Sequence, residues 1–282
     1  MIFSDLWQYT FMQHALIAAS VVGLTAPLVG VFLVQRRLAL LGDGIGHIAL
    51  TGIGIAVLTG QAPIWGALVA ALAGAVLVEY LRARSKIAGD TALSIIFYGG
   101  IAGGVLLTSL GTGSAGSSLS SYLFGSLTTV SRSDLFAVVL LGALILISVL
   151  IIGRQLLAVS IDPEHAHVQG IKINLQSAAV AALSAVTVTV GMRAVGLLLV
   201  SAIMIIPVVS AQQIAKSFKQ TMVVAAIVGW ISAVLGLTIS FYVDVPPGST
   251  IVLTALGIFA LSSAVMYLLN LIKRKRVQHE SA

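Results

Sequence analysis

Asp43 and His47 stand four residues apart in Gly42-Asp43-Gly44-Ile45-Gly46-His47, inside a chain that is otherwise almost wholly apolar. On a helix, residues i and i+4 share one face about 6 Å apart, so a carboxylate and an imidazole can hold one ion between them. Ionisable groups within a bilayer are costly and are functional candidates by default. The pair points to movement of a cation across a membrane. Two other readings stand beside it. Asp43 would cap a helix at the cytoplasmic interface, and His47 would be a hydrogen-bonded core histidine.

Other residues carry weaker signals of the same kind. His14, near the outer end of the first apolar run, would either receive metal there or hydrogen-bond at the interface. Asp244 precedes Pro246-Pro247 and would attract cations at an external mouth or simply form the turn. His165 and His167 are spaced like a metal pair, on a short cytoplasmic segment placed for a soluble partner to grip. Glu79 and Asp90 are expected to pair with Arg82 or Lys86 near the inner interface.

The elements that must position these groups are membrane helices. Over 282 residues the chain is 59% hydrophobic and 9% charged, with a mean hydropathy of +1.10. A soluble domain carries roughly 25% charged residues, so this chain cannot cover itself in water. Apolar runs recur at the ~20-residue length of a bilayer span. The spans read 11–34, 40–60, 63–81, 90–110, 134–153, 174–191, 195–215, 220–242 and 249–272. The fold class is all-α, a polytopic membrane protein of about nine helices, or eight if 174–215 is one broken helix around Arg193.

Charge placement orients the spans. With the N-terminus outside, Arg36/Arg37, Arg82/Arg84/Lys86, Arg154/Lys172, Lys216/Lys219 and Lys273 to Arg276 all fall in the cytoplasm. That is thirteen of the fifteen Lys and Arg, with only Arg132 and Arg193 outside. The positive-inside rule therefore favours N-out and C-in. The basic run after Leu271 is then a cytoplasmic stop signal, and the net charge of +6 does not mark a nucleic-acid binder. Residues 1–13 contain no Lys or Arg, so a basic signal-peptide n-region is missing and the first helix is expected to stay. The absence of cysteine excludes disulfides and thiolate metal sites.

Placed this way, Arg37 lies at the cytoplasmic headgroups. His47, ten residues on, is expected about 15 Å deeper, near the middle of a ~30 Å core. Gly42, Gly44 and Gly46 are expected to let helix backbones approach closely and keep a lumen open. Between the spans, 111–134 is rich in Gly and Ser, and its 121–127 portion reads as either an interfacial helix or a capped loop with anchoring aromatics. On the cytoplasmic side, Asp162-Pro163-Glu164 starts a short helix that Gly170 can end.

No Gly-x-x-x-x-Gly-Lys-Ser/Thr occurs, so the chain carries no site of its own for ATP hydrolysis. An intramembrane hydrolase fares poorly, since His-Glu-x-x-His and Gly-x-Ser-x-Gly are missing. A stand-alone secondary divalent-cation transporter remains the main alternative. It would need several buried acids and inverted repeats, whereas Asp43 is the one clear mid-membrane acid and its segment is not repeated.

From about residue 11 to 270 the chain resembles the membrane permease subunit of ABC importers for zinc, manganese or iron, the ABC-3 family. The most specific stretch is Arg36-Arg37-Leu38-Ala39-Leu40-Leu41-Gly42-Asp43 continuing to His47. Tyr122-Leu123-Phe124-Gly125 is similar to the family's loop signature, and Glu164-x-Ala166-x-x-x-Gly170 to its ATPase-coupling motif. Val195-Gly196 through Ile206-Pro207 and Ala211, then Phe241 to Gly248, resemble its late core helix and last external turn.

The resemblance implies an ABC importer permease fold in a bacterial cell membrane. Residues 1–272 would form a single permease domain, with a coupling segment at about 160–172 and a basic tail over 273–282. It further implies a non-catalytic homodimer, served by two cytoplasmic ABC ATPase subunits and an external metal-binding lipoprotein or periplasmic protein. No cofactor would be held permanently, and ATP would bind the partner subunit. Asp43 and His47 would hold the cargo transiently, and two copies would offer two carboxylates and two imidazoles. That donor set suits Zn2+ or Mn2+, with zinc slightly favoured for its imidazole ligands and iron third.

Overall fold

The computed structural model describes residues 9–84, 89–110, 123, 125 and 131–280, and the regular structure among them is helical. In chain order the long helices are α1 (Thr10–Gln35), α2 (Leu41–Leu58), α3 (Pro63–Arg84), α4 (Gly89–Leu110) and α5 (Arg132–Ile161). A short α6 (Pro163–Val168) follows, then α7 (Ile173–Ala194), α8 (Leu197–Ile214), α9 (Phe218–Val243) and α10 (Pro247–Glu280). The expected interfacial element at 121–127, with Tyr122 and Phe124, lies outside the described residues except for Leu123 and Gly125. Lys86 and the side chains of Arg84, Asp90, Arg193 and residues 273–276 lie outside them too.

Helices result because a bilayer offers backbone groups no other partners. Each of the nine expected segments coincides with one helix, 40–60 and 195–215 overrunning α2 and α8 by one or two residues at each end. Seven of these, α1, α2, α3, α5, α7, α9 and α10, are long and apolar enough to cross a membrane. In α4 and α8 the apolar stretches are shorter, Leu93–Leu107 and Leu199–Ile214.

Three boundaries differ from expectation for local reasons. α5 opens on a capping box, Ser131 Oγ accepting from the Asp134 N–H at 3.1 Å while Asp134 Oδ2 accepts from the Ser131 N–H at 3.2 Å. It then continues past Gly153-Arg154 to Ile161, because Leu156 and Val159 are buried against the bundle. α10 likewise carries the basic run as helix up to Glu280. Segment 174–215 is two helices, parted at Gly196, whose φ of 92° and ψ of 147° suit only glycine. Gly125 lies against this break, where an added Cβ would come within 2.9 Å of the Val195 carbonyl carbon.

Ring contacts show how the ends align. Phe241 near the end of α9 meets Tyr9 and Phe11 at 6.0 and 6.4 Å. Phe218 at the other end of α9 meets Phe32 at 5.6 Å, so α1 and α9 run antiparallel. The α1 terminus at Arg36, the start of α7 and the end of α8 share the end that bears α6.

α7 is the central helix. It buries Val180, Ala181, Ala185, Val188, Val190 and Met192. Its Ser184, Thr187 and Thr189 bond back to the carbonyls of Val180, Leu183 and Ala185, so these hydroxyls are satisfied without water. Around it, helices approach at small residues. A Cβ on Gly52 of α2 would lie 2.3 Å from the Gly66 carbonyl oxygen of α3.

Candidate functional site

α1 ends in a Schellman turn with the Leu38 N–H on Leu33 O and the Arg37 N–H on Val34 O. Arg37 itself takes the left-handed φ of 57°, the position glycine usually holds. The chain thus turns over residues 36–40 before α2 begins at Leu41. His47 is six residues into α2, about 9 Å along it. The expected 15 Å assumed continuous helix from Arg37, and the turn removes that length. His47 lies a third of the way up α2.

Asp43 sits in the first turn of α2, but the N-cap is Leu40 and no side chain makes a cap bond there. The capping alternative therefore has no bond to support it. The half-buried Asp43 instead lines a cavity of about 270 Å³ with Leu40, Leu93, Ser94, Phe97 and Tyr98. At roughly 30 Å³ per water, this space admits a partly hydrated ion beside the carboxylate.

One turn above, the His47 ring stands edge-on to Phe97, centroids 4.4 Å apart at 77°. Its Nδ1 is buried with no hydrogen-bond partner. An unmade buried hydrogen bond costs about 1–3 kcal/mol, so a core-histidine role for His47 would need a partner for this nitrogen. This nitrogen lies one helical turn from the Asp43 carboxylate.

Helix α4 fixes this face. Thr51 Oγ1 donates to Gly100 O at 2.9 Å, and a Cβ on Gly100 would lie 2.6 Å from the His47 carbonyl carbon and the Ile48 nitrogen. Around α2, close backbone approach is thus supplied by Gly100 and Gly52. Gly42, Gly44 and Gly46, expected in that role, face side chains of Ser201, Leu93 and Leu197 with Val188. The Gly-x-Gly-x-Gly spacing drew the attention, yet i, i+2, i+4 spreads around a helix rather than lying on one face.

Ser201 was not singled out in the sequence. Its Oγ is buried without a partner and lies 3.0 Å from where a Gly42 Cβ would stand. A lone serine in an apolar helix carries no signal that distinguishes it from Ser210, which simply bonds back to Ile206 O.

The remaining candidates are not gathered at Asp43. His14 is half-buried near the start of α1, and Asp244 is exposed at the end of α9 with a left-handed φ of 56°. Phe241 touching Tyr9 and Phe11 puts both at the end away from α6, about 33 Å of α1 from Arg36. Among the described residues no three His, Asp or Glu groups come together as a metal-holding set. Glu79 pairs with Arg82 at 2.7 Å, as expected.

α6 forms as its sequence dictates. The Asp162 side chain accepts from the His165 N–H at 2.9 Å, Pro163 occupies the first turn, and Gly170 at φ 81° closes a Schellman turn with Gly170 N–H on His167 O and Ile171 N–H on Ala166 O. Ala166 is buried beneath it, while Glu164, His165, His167, Val168 and Gly170 face outward. Val168 is 85% exposed, an apolar side chain offered at a polar end.

Comparison with known proteins bears on the whole chain. Residues 8–266 match the ABC 3 transport family. The manganese import system permease protein ScaB of Streptococcus gordonii is 33% identical over 270 residues, 96% of each chain. The chelated iron transport system membrane protein YfeD of Yersinia pestis is 34% identical over 270 residues, 96% of this chain and 89% of that one. The solved structure of PsaBC from Streptococcus pneumoniae in complex with Fab superposes with a TM-score of 0.84 at 33% identity, covering 93% of this chain and 94% of that chain.

Proposed function

The chain belongs to the ABC 3 transport family, and on that footing we propose that it is the membrane-spanning permease of an ATP-driven importer of divalent transition metal ions. It crosses a bacterial cell membrane nine times, α4 and α8 included, with the N-terminus outside. The support is thirteen of fifteen basic residues on the cytoplasmic side of that arrangement, together with the reversal of direction at Gly196. Residues 1–272 act as one domain.

Two copies pair, and Asp43 and His47 from each hold the ion in transit. One chain offers only two donors, and the cavity at Asp43 opens beside Tyr98, which is 68% exposed. Four mixed oxygen and nitrogen donors suit manganese, zinc or iron(II). The sequence leaned to zinc, but relatives named for manganese and for chelated iron bring manganese to the front. Ion binding is weak, because a transporter must release what it captures.

The rest of the machinery follows the same reading. A separate cytoplasmic ATPase grips α6 through Glu164 and Val168, with Ala166 and Gly170 shaping the helix it grips. An external metal-binding protein delivers the ion at the end that bears His14 and Asp244. The chain itself is non-catalytic and keeps no resident cofactor.

The observation that carries the site assignment is the buried, unpartnered His47 Nδ1 one turn from Asp43. Uptake of radioactive manganese by cells carrying Asp43→Ala, His47→Ala or both tests it. Uptake should vanish while the complex still assembles. Normal uptake by the double variant would remove the site from the pathway.

A further inference from the structure

α6 is separated from Asp43 by more than a hundred residues of chain, yet a short polar chain links them in space. Arg36, the C-cap of α1 at the turn into α2, donates from Nη2 to Ser177 Oγ at 2.5 Å. Ser177 is 8% exposed and lies in the first turns of α7, directly after the α6 segment. The neighbouring Gln176 is 6% exposed, and its Nε2 donates to Gln155 Oε1 of α5 at 2.7 Å. Gln155 and Gln176 thus tie together the two helices that flank α6. Ser177 passes that tie on to Arg36.

From α3, Glu79 and Arg82 form an ion pair, and both charges act on the partly buried Arg36 guanidinium. Ser177 of α7 therefore holds Arg36 by a hydrogen bond, while on the α3 side Glu79 attracts the guanidinium and Arg82 repels it. Asp43 follows only seven positions later, across the tight turn over 36–40 and the first turn of α2. A shift at the start of α7 cannot leave Arg36 in place without breaking a charge-assisted bond in a partly buried setting, where such bonds are stronger than in water. Gln176 Oε1, buried and without a partner, leaves a vacant acceptor at this junction, so it can rearrange without stranding a donor.

We propose that the Arg36–Ser177 bond is the link through which movement of α6 reaches the Asp43 end of α2, making Arg36 and Ser177 positioning residues for transport. The inference rests on the permease reading above. It assigns the connection between the ATPase-facing helix and the ion-facing helix to one bond, rather than to the bundle moving as a block.

The test uses the full chain with its ATPase and binding protein in liposomes, reading manganese taken up and phosphate released together. Ser177→Ala should leave assembly and ATP hydrolysis in place, while manganese moved per ATP falls about two- to thirtyfold. Ser177→Thr, which keeps the hydroxyl, should restore most of the ratio. If Ser177→Ala does not assemble, Arg36→Lys, which keeps the charge and loses the reach, gives the same readout. A ratio unchanged in Ser177→Ala, or equally low with Thr and Ala, would overturn the link. Transport by the unaltered complex without ATP would instead overturn the permease reading, so the two failures are distinguishable.

Discussion

Adjacent glycines on α4 offer a controlled perturbation of the ion-facing helix. Gly99 has nothing within 4 Å of the position a Cβ would take, whereas at Gly100 the same atom would lie 2.6 Å from the His47 carbonyl carbon and the Ile48 nitrogen. Carbon contacts settle at about 3.5–4.0 Å, so Gly100→Ala must part α4 from α2 by about 1 Å. Overpacking of that kind costs about 1–3 kcal/mol. Both substitutions gain the same helix preference of about 1 kcal/mol, which cancels when the two variants are compared. Gly100→Ala should therefore be about 1–3 kcal/mol less stable than Gly99→Ala in thermal unfolding of the detergent-solubilised protein. Transport should fall further than stability does, because a displacement of about 1 Å at a working group can cost on the order of a hundredfold. Equal melting temperatures and equal uptake for the two variants would refute the close α2–α4 packing and the placement of His47 that depends on it.

Two more expectations concern α6. Asp162→Ala removes the side-chain bond to the His165 N–H and should weaken the helix by about 1 kcal/mol, and Gly170→Ala, with φ 81°, by about 1–2 kcal/mol; faster local hydrogen exchange over residues 162–171 would show both. Glu164→Ala, exposed and outside the bundle, should leave the melting temperature unchanged while ATP hydrolysis continues with reduced metal uptake. Normal metal uptake per ATP in Glu164→Ala would remove it from the ATPase contact.

Local signals predicted much of the fold and of α6. Length and apolarity located the helices, and Asp162-Pro163 with Gly170 defined α6, because capping and left-handed turns are determined by the residues that make them. The break near Arg193 was legible only as a question. Its answer lies in Gly196 and in Gly125 packed against it, a contact between segments far apart in sequence. Asp43 and His47 were visible because ionisable groups are rare in such a chain. The turn before them was not, because Arg37 takes the left-handed conformation where glycine would have announced it. Gly100, Ser201 and Ser177 went unmarked for a common reason. A small residue in an apolar helix is ordinary until the helix facing it is known.

Metal-dependent ATP hydrolysis by the chain assembled with its ATPase and binding protein in liposomes tests the central claim most directly. Manganese, zinc and iron(II) are compared with and without Asp43→Ala and His47→Ala. One metal should stimulate hydrolysis and accumulate inside, and both effects should disappear in either variant. Accumulation that proceeds with no ATPase present would contradict the account and leave a secondary cation transporter in its place.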